Sequence, residues 1–159
     1  MLSRANMRED LIFWGVFMME LIGLHTKMMK EENMTFGQYI RKKRLDSPQE
    51  LTLREISQKL DMSLSMYSDI EKDRRTPSDN FDYEKLATIL SLDAAEKALM
   101  YDLAARRKRT VPSDIEDVMM YSESGNYARM ALRMTNEGTA NEEDWKTFIR
   151  NLEARKRGQ

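Results

Sequence analysis

Thr52-Leu53-Arg54-Glu55 and Ser63 mark two helix starts eleven residues apart, and only Asp61-Met62 remain to turn the chain between them. Thr52 followed by Glu55 is a capping box, in which each side chain satisfies a free amide at the start of its own helix. Leu53, Ile56 and Leu60 follow at helical spacing, as do Tyr67 and Ile70 after Ser63. Two helices this short, joined by so tight a turn, must cross steeply to share one apolar face, which is helix-turn-helix geometry.

The flanking sequence extends the pattern. Phe36, Ile40 and Leu45 predict a preceding helix, with Arg41, Lys42, Lys43 and Arg44 as its basic outer face. Asp46-Ser47-Pro48-Gln49 ends it near Leu45, because proline lacks an amide donor and disfavours helical geometry in the residue before it. Phe81, Leu86, Ile89 and Leu90 predict a fourth helix, and Leu99, Met100 and Leu103 a fifth beginning near Asp93. The run Arg106-Arg107-Lys108-Arg109 suits a helix C-terminus and is either a solvated end or a phosphate contact. Pro112 stops that helix.

Composition restricts the class of function. Three Pro and six Gly in 159 residues, with abundant strong helix formers, predict an all-α chain. No Cys is present, so no disulfide, thiolate metal site or thiol nucleophile can form, and a reducing, cytoplasmic setting is expected. One histidine, His25, and no glycine-rich phosphate loop argue against an enzyme; no cofactor and no metal are expected. Lys plus Arg number 26 against 27 Asp plus Glu, a balance that can conceal a basic face.

Residues 11–24 are the longest apolar run, interrupted by Glu20 and too short for the roughly 20 residues that span a bilayer. No small-residue cleavage site follows, so a signal peptide is not expected. Residues 1–33 therefore read as an extension, with three alternatives: a start codon assigned too early, since Met28, Met29 and Met34 follow; a docking helix; or a segment touching a membrane surface.

Residues 51–78, LTLREISQKLDMSLSMYSDIEKDRRTPS, resemble the core of the XRE, or lambda-repressor-like, helix-turn-helix family. The cues are L-T-L-R-E-I in the second helix, S-x-S-x-x-S-x-I-E in the third and the R-R-x-P-S exit. The resemblance implies a lambda-repressor-like bundle of four to five short helices over residues 34–110, binding double-stranded DNA, with a helical extension over 111–159. It further implies that Leu64, Ser65, Ser68 and Asp69 face base edges, and that Thr52, Arg54, Lys72, Arg74 and Arg75 hold phosphates. Arg44 and Glu71 match a structural pair that locks the first helix onto the third.

Two features depart from the family pattern. Asp69 stands where a hydrogen-bond donor is common; a carboxylate is repelled by phosphate and has one good base partner, the amino group of cytosine. The Asp46 to Glu50 connection is about two residues longer than the common form.

In the extension, Pro112-x-Asp114-Ile115, the Tyr127 to Arg133 string and the helix around Trp145 resemble the tails of some XRE-type regulators. Tyr127, Met130, Ala131 and Met134 are expected on one face, and Trp145, Phe148, Ile149 and Leu152 on another, packing on the first domain or a second subunit. Two functions are expected to compete. One is a repressor binding a palindromic operator as a homodimer. The other is an antitoxin or protein-inhibitor module whose tail binds a protein, and whose helix-turn-helix autoregulates its operon or has lost DNA binding.

Overall fold

The computed structural model describes residues 30–158, so the apolar run at 11–24 and His25 lie outside the described part. All regular structure among the described residues is helical. The chain divides after Pro112 into two compact units. The first holds α1 (Phe36–Leu45), α2 (Leu53–Lys59), α3 (Leu64–Glu71), α4 (Tyr83–Ile89) and α5 (Ala94–Lys108). The second holds α6 (Ser113–Tyr121), α7 (Glu123–Asn136) and α8 (Glu142–Arg157). Among the described residues no helix is long and apolar enough to cross a membrane.

The helices of the first unit start where side chains cap them. Thr35, Thr52, Ser63, Asp82 and Asp93 each accept a hydrogen bond from an amide in the first turn of the helix that follows. Their ends share a second device. After α2, α3, α4 and α5 a non-glycine residue, Asp61, Asp73, Ser91 or Arg109, takes a left-handed conformation with φ of 54° to 57°. The next amide then reaches back to a carbonyl in the last turn, as in Met62 N–H to Ser57 (2.9 Å) and Leu92 N–H to Ala87 (3.0 Å). These closures let the chain reverse between short helices, at a conformational cost that glycine would avoid.

Phe36, Tyr39, Ile40, Ile56, Tyr67, Ile70, Leu86 and Met100 are almost wholly buried and form one core with Leu51, Phe81, Leu90 and Leu103. An aromatic set ties α1 to α4 and α5: the Phe36 ring lies 5.9 Å from Tyr83, and Tyr83 lies 5.5 Å from Tyr101. Burial of each large side chain is worth about 1.5–3 kcal/mol, enough to organise helices too short to persist alone.

The basic outer face expected on α1 forms only in part, at exposed Arg41 and half-buried Lys42. Lys43 is buried and Arg44 is half-buried, while Leu45, expected in the core, is 62% exposed. At about 100° per residue, Lys43 falls on the stripe of Phe36, Tyr39 and Ile40, whereas Leu45 lies about 180° from Phe36. Lys43 survives burial by pairing with Glu96 (2.7 Å) and Glu31 (3.3 Å) and lying 5.1 Å from the centre of the Tyr39 ring. Residues 30–33, assigned by sequence to the extension, thus carry a buried acid into the first unit. Burial pushes the Glu31 carboxyl up, but hydrogen bonding from Lys42 and the charge of Lys43 outweigh it and hold the group below its ordinary value.

In the second unit Ser122 caps α7 and Asn141 caps α8. The α6 and α7 backbones approach so closely at Gly125 that a Cβ there would stand 2.4 Å from the Val118 carbonyl oxygen. Trp145 Nε1 donates to Thr135 Oγ1 at 2.8 Å, linking α8 to α7. Of the side chains expected to form packed faces, Ala131 and Trp145 are half-buried, whereas Tyr127, Met130, Met134, Phe148, Ile149 and Leu152 are exposed.

Candidate nucleic-acid interface

The candidate interface is built on α3 and the turns at its ends. Ser63 caps α3, its hydroxyl accepting from Met66 N–H at 3.2 Å, and Tyr67 and Ile70 anchor the inner face in the core. That anchoring turns the other side outward: Leu64 and Ser65 are exposed, and Ser68 and Asp69 are half-buried. Asp69 stands 3.8 Å from the Arg74 guanidinium, so its negative charge is partly offset within the site.

The cations lie at both edges. Arg54 is exposed in the first turn of α2; Lys72 caps α3, and Arg74 and Arg75 follow it, all exposed. Arg54, Lys72 and Arg75 have no ion-pair partner among the described residues. Thr52 is differently placed: its hydroxyl and amide both donate to Glu55 Oε2 at 2.8 Å, so its polar groups already serve the α2 cap. Those hydrogen bonds, backbone first, hold the Glu55 carboxyl below its ordinary value.

Behind this surface Arg44 and Glu71 meet in a two-pronged pair, Nε to Oε1 at 2.7 Å and a terminal guanidinium nitrogen to Oε2 at 2.9 Å. Arg44 also donates to the Leu51 carbonyl at 3.3 Å, so one side chain ties α1, the chain entering α2 and the end of α3 together. The hydrogen bonds that Arg44 donates to Glu71 outweigh desolvation and keep the guanidinium pKa raised. Tyr67 lies beside this pair with a buried hydroxyl that has no hydrogen-bond partner among the described residues. Burial, and then the Glu71 charge, push its phenol up.

Asp73 is the positioning residue that the sequence reading did not single out. Its carboxylate accepts from the Thr35 hydroxyl, from Gly37 N–H (3.2 Å) and from Arg107 (2.9 Å), and its carbonyl accepts from Arg107 at 2.7 Å. The left-handed turn after α3 is therefore clamped between the start of α1 and the end of α5. Gly37 belongs to the same clamp: a Cβ there would lie 2.4 Å from the Ile70 carbonyl oxygen. The signal available in sequence was a glycine in the first turn of a capped helix, where α1 has no packing reason of its own to lack a side chain.

Most of the 106–109 run is internally engaged. Arg106 donates to the Glu32 carbonyl (2.7 Å), Arg107 holds Asp73 and Thr76, and Lys108 pairs with Asp79 (2.9 Å). Arg107 and Lys108 thereby fasten the C-terminus of α5 to the chain that follows α3, and Arg106 fastens it to the turn that precedes α1.

A compact, capped helix pair with its second helix turned outward and cations at both edges is the arrangement of a DNA-reading module. Residues 40–81 match the family model described as helix-turn-helix. This segment belongs to the XRE-type helix-turn-helix family. The helix-turn-helix of this family is a DNA-binding, regulatory domain rather than an enzymatic one. No curated protein and no solved structure matches the chain.

Proposed function

We propose that this chain is a sequence-specific transcriptional regulator, a cytoplasmic repressor that binds a palindromic operator as a homodimer. The observation that carries the reading is the outward half of α3, rigidly seated by the Arg44–Glu71 pair and bordered by the free cations Arg54, Lys72 and Arg75. In this reading Leu64, Ser65, Ser68 and Asp69 meet base edges. Ser65 can donate or accept, Leu64 suits a thymine methyl, and Asp69 accepts from a cytosine amino group. Arg54, Lys72, Arg74 and Arg75 position the module on the phosphates, with the N-terminus of α2 at Thr52 directed toward the same backbone. Arg74, close to Asp69, reduces the repulsion that a carboxylate would otherwise meet there.

The test is affinity for the DNA upstream of the protein's own gene, measured against scrambled DNA across a salt series. The specific complex should survive competition, and Arg75→Ala should make the slope of log affinity against log salt shallower by roughly two units, about one for each subunit of the dimer. Equal affinity for scrambled DNA would overturn the operator reading. A second reading, an antitoxin or inhibitor whose tail binds another protein, draws support from the exposed apolar side chains of α6 to α8.

A further inference from the structure

The second unit is helical without a hydrophobic core. Gly125 is its one buried residue among those described, while Tyr127, Phe148, Ile149 and Leu152 are 43% to 71% exposed. So many exposed apolar side chains on so small a unit mark an interaction surface rather than an ordinary solvated one. The pattern of α8 says what that surface is. Trp145, Phe148, Ile149 and Leu152 recur at the spacing of one helical stripe, centred between Phe148 and Ile149. Charge is segregated about that same centre: Glu142, Glu143 and Asp144 occupy the first turn, and Arg155, Lys156 and Arg157 the last.

We infer that α8 is a self-complementary interface for a second copy of this chain, the two α8 helices packing antiparallel about a two-fold axis near Phe148 and Ile149. In that register Phe148 faces the partner's Ile149, Trp145 faces the partner's Leu152, and Glu142 faces the partner's Arg155. Each pair occurs twice, as an isologous interface requires. Parallel pairing would set acidic turn against acidic turn and basic against basic, which disfavours it. The apolar groove between α7 and α8, about 420 Å³ and lined by Tyr127, Ala128, Ala131, Trp145 and Phe148, continues the stripe. The inference deepens the dimeric reading proposed above, but it is tested without DNA.

The experiment is sedimentation equilibrium of the full chain. The wild type should be dimeric, and Leu152→Glu should weaken dimerisation at least a hundredfold while far-ultraviolet circular dichroism keeps its helical signal. Glu142→Arg and Arg155→Glu should each weaken the dimer on the order of tenfold, since exposed pairs contribute little individually. Mixing these two variants should restore wild-type strength, because only the heterodimer matches every charge. A monomeric wild type, or a dimer indifferent to Leu152→Glu, would overturn the interface; failure of the mixture to recover would overturn the antiparallel register. A dimer without operator preference would support this interface while overturning the DNA reading, and an operator-binding monomer would do the reverse.

Discussion

Helices α1 and α8 both begin with a capping box, Thr35 with Gln38 in one and Asn141 with Asp144 in the other, yet their outer fates differ. Helix α1 buries Phe36, Tyr39 and Ile40 completely, and even its Lys43 is enclosed; α8 buries no side chain. Capping and propensity therefore set where helices start and stop in both units, but only the first unit converts them into a cooperative core. Where a helix is held by tertiary burial, single groups matter a great deal; where it is held locally, most changes are absorbed.

The largest expected effect breaks that contrast directly. Phe36→Ala removes a ring that touches Phe81 and Tyr83 in the core, and should cost about 3–5 kcal/mol in urea unfolding of the first unit. Leu132→Ala, at an exposed position on α7, should leave the same transition within about 0.5 kcal/mol. Comparable losses from the two substitutions would mean that burial does not set the energetic difference between these positions and that the contrast is false.

The readability of the sequence followed the same division. Thr52 with Glu55, Ser63, Asp93 and Pro48 announce helix boundaries because capping and proline geometry are local, and the helix-turn-helix follows from their spacing. Burial of charge was less legible. Arg41 to Arg44 reads as a solvated run until Tyr39 is added to the apolar stripe, which puts Lys43 inward. Nothing local reveals that its partners are Glu31 and Glu96, one of them 53 residues away. Asp73 was missed for a similar reason: its donors, Thr35, Gly37 and Arg107, lie more than 30 residues from it. At the candidate interface, residue types were readable from the family pattern. The offset of Asp69 by Arg74 and the prior engagement of Thr52 by Glu55 required the folded arrangement.

A middle-sized effect tests whether the buried charges belong to the stability of the first unit. Glu31→Gln keeps the shape but removes the charge facing Lys42 and Lys43, and should cost about 1–2 kcal/mol at neutral pH. Because the folded-state pKa of Glu31 is lowered from 4.5, its contribution is complete above that pH. It is lost as pH falls from 4.5 through the lower folded value. The gap between wild type and Glu31→Gln should therefore narrow in acid, measured as the difference in urea midpoint across a pH series. A constant gap would assign the effect to shape rather than charge.

The smallest effect sharpens the comparison at the helix ends. Ser91 holds φ of 54° in the turn after α4, is exposed, and contributes only backbone bonds to that turn. Ser91→Gly should relieve the left-handed strain and stabilise the first unit by about 0.5–1 kcal/mol, after allowing for the greater freedom of glycine in the unfolded chain. Asp73 has nearly the same backbone, φ of 57°, but its carboxylate clamps three donors. Asp73→Gly should therefore destabilise, and the opposite signs separate a turn that only closes a helix from one that also seats the recognition helix. In the second unit the corresponding turn already holds Gly138 at φ of 78°. Gly138→Ala should disturb the end of α7 while leaving the urea midpoint of the first unit unmoved, because a locally held helix has no core through which to transmit the strain.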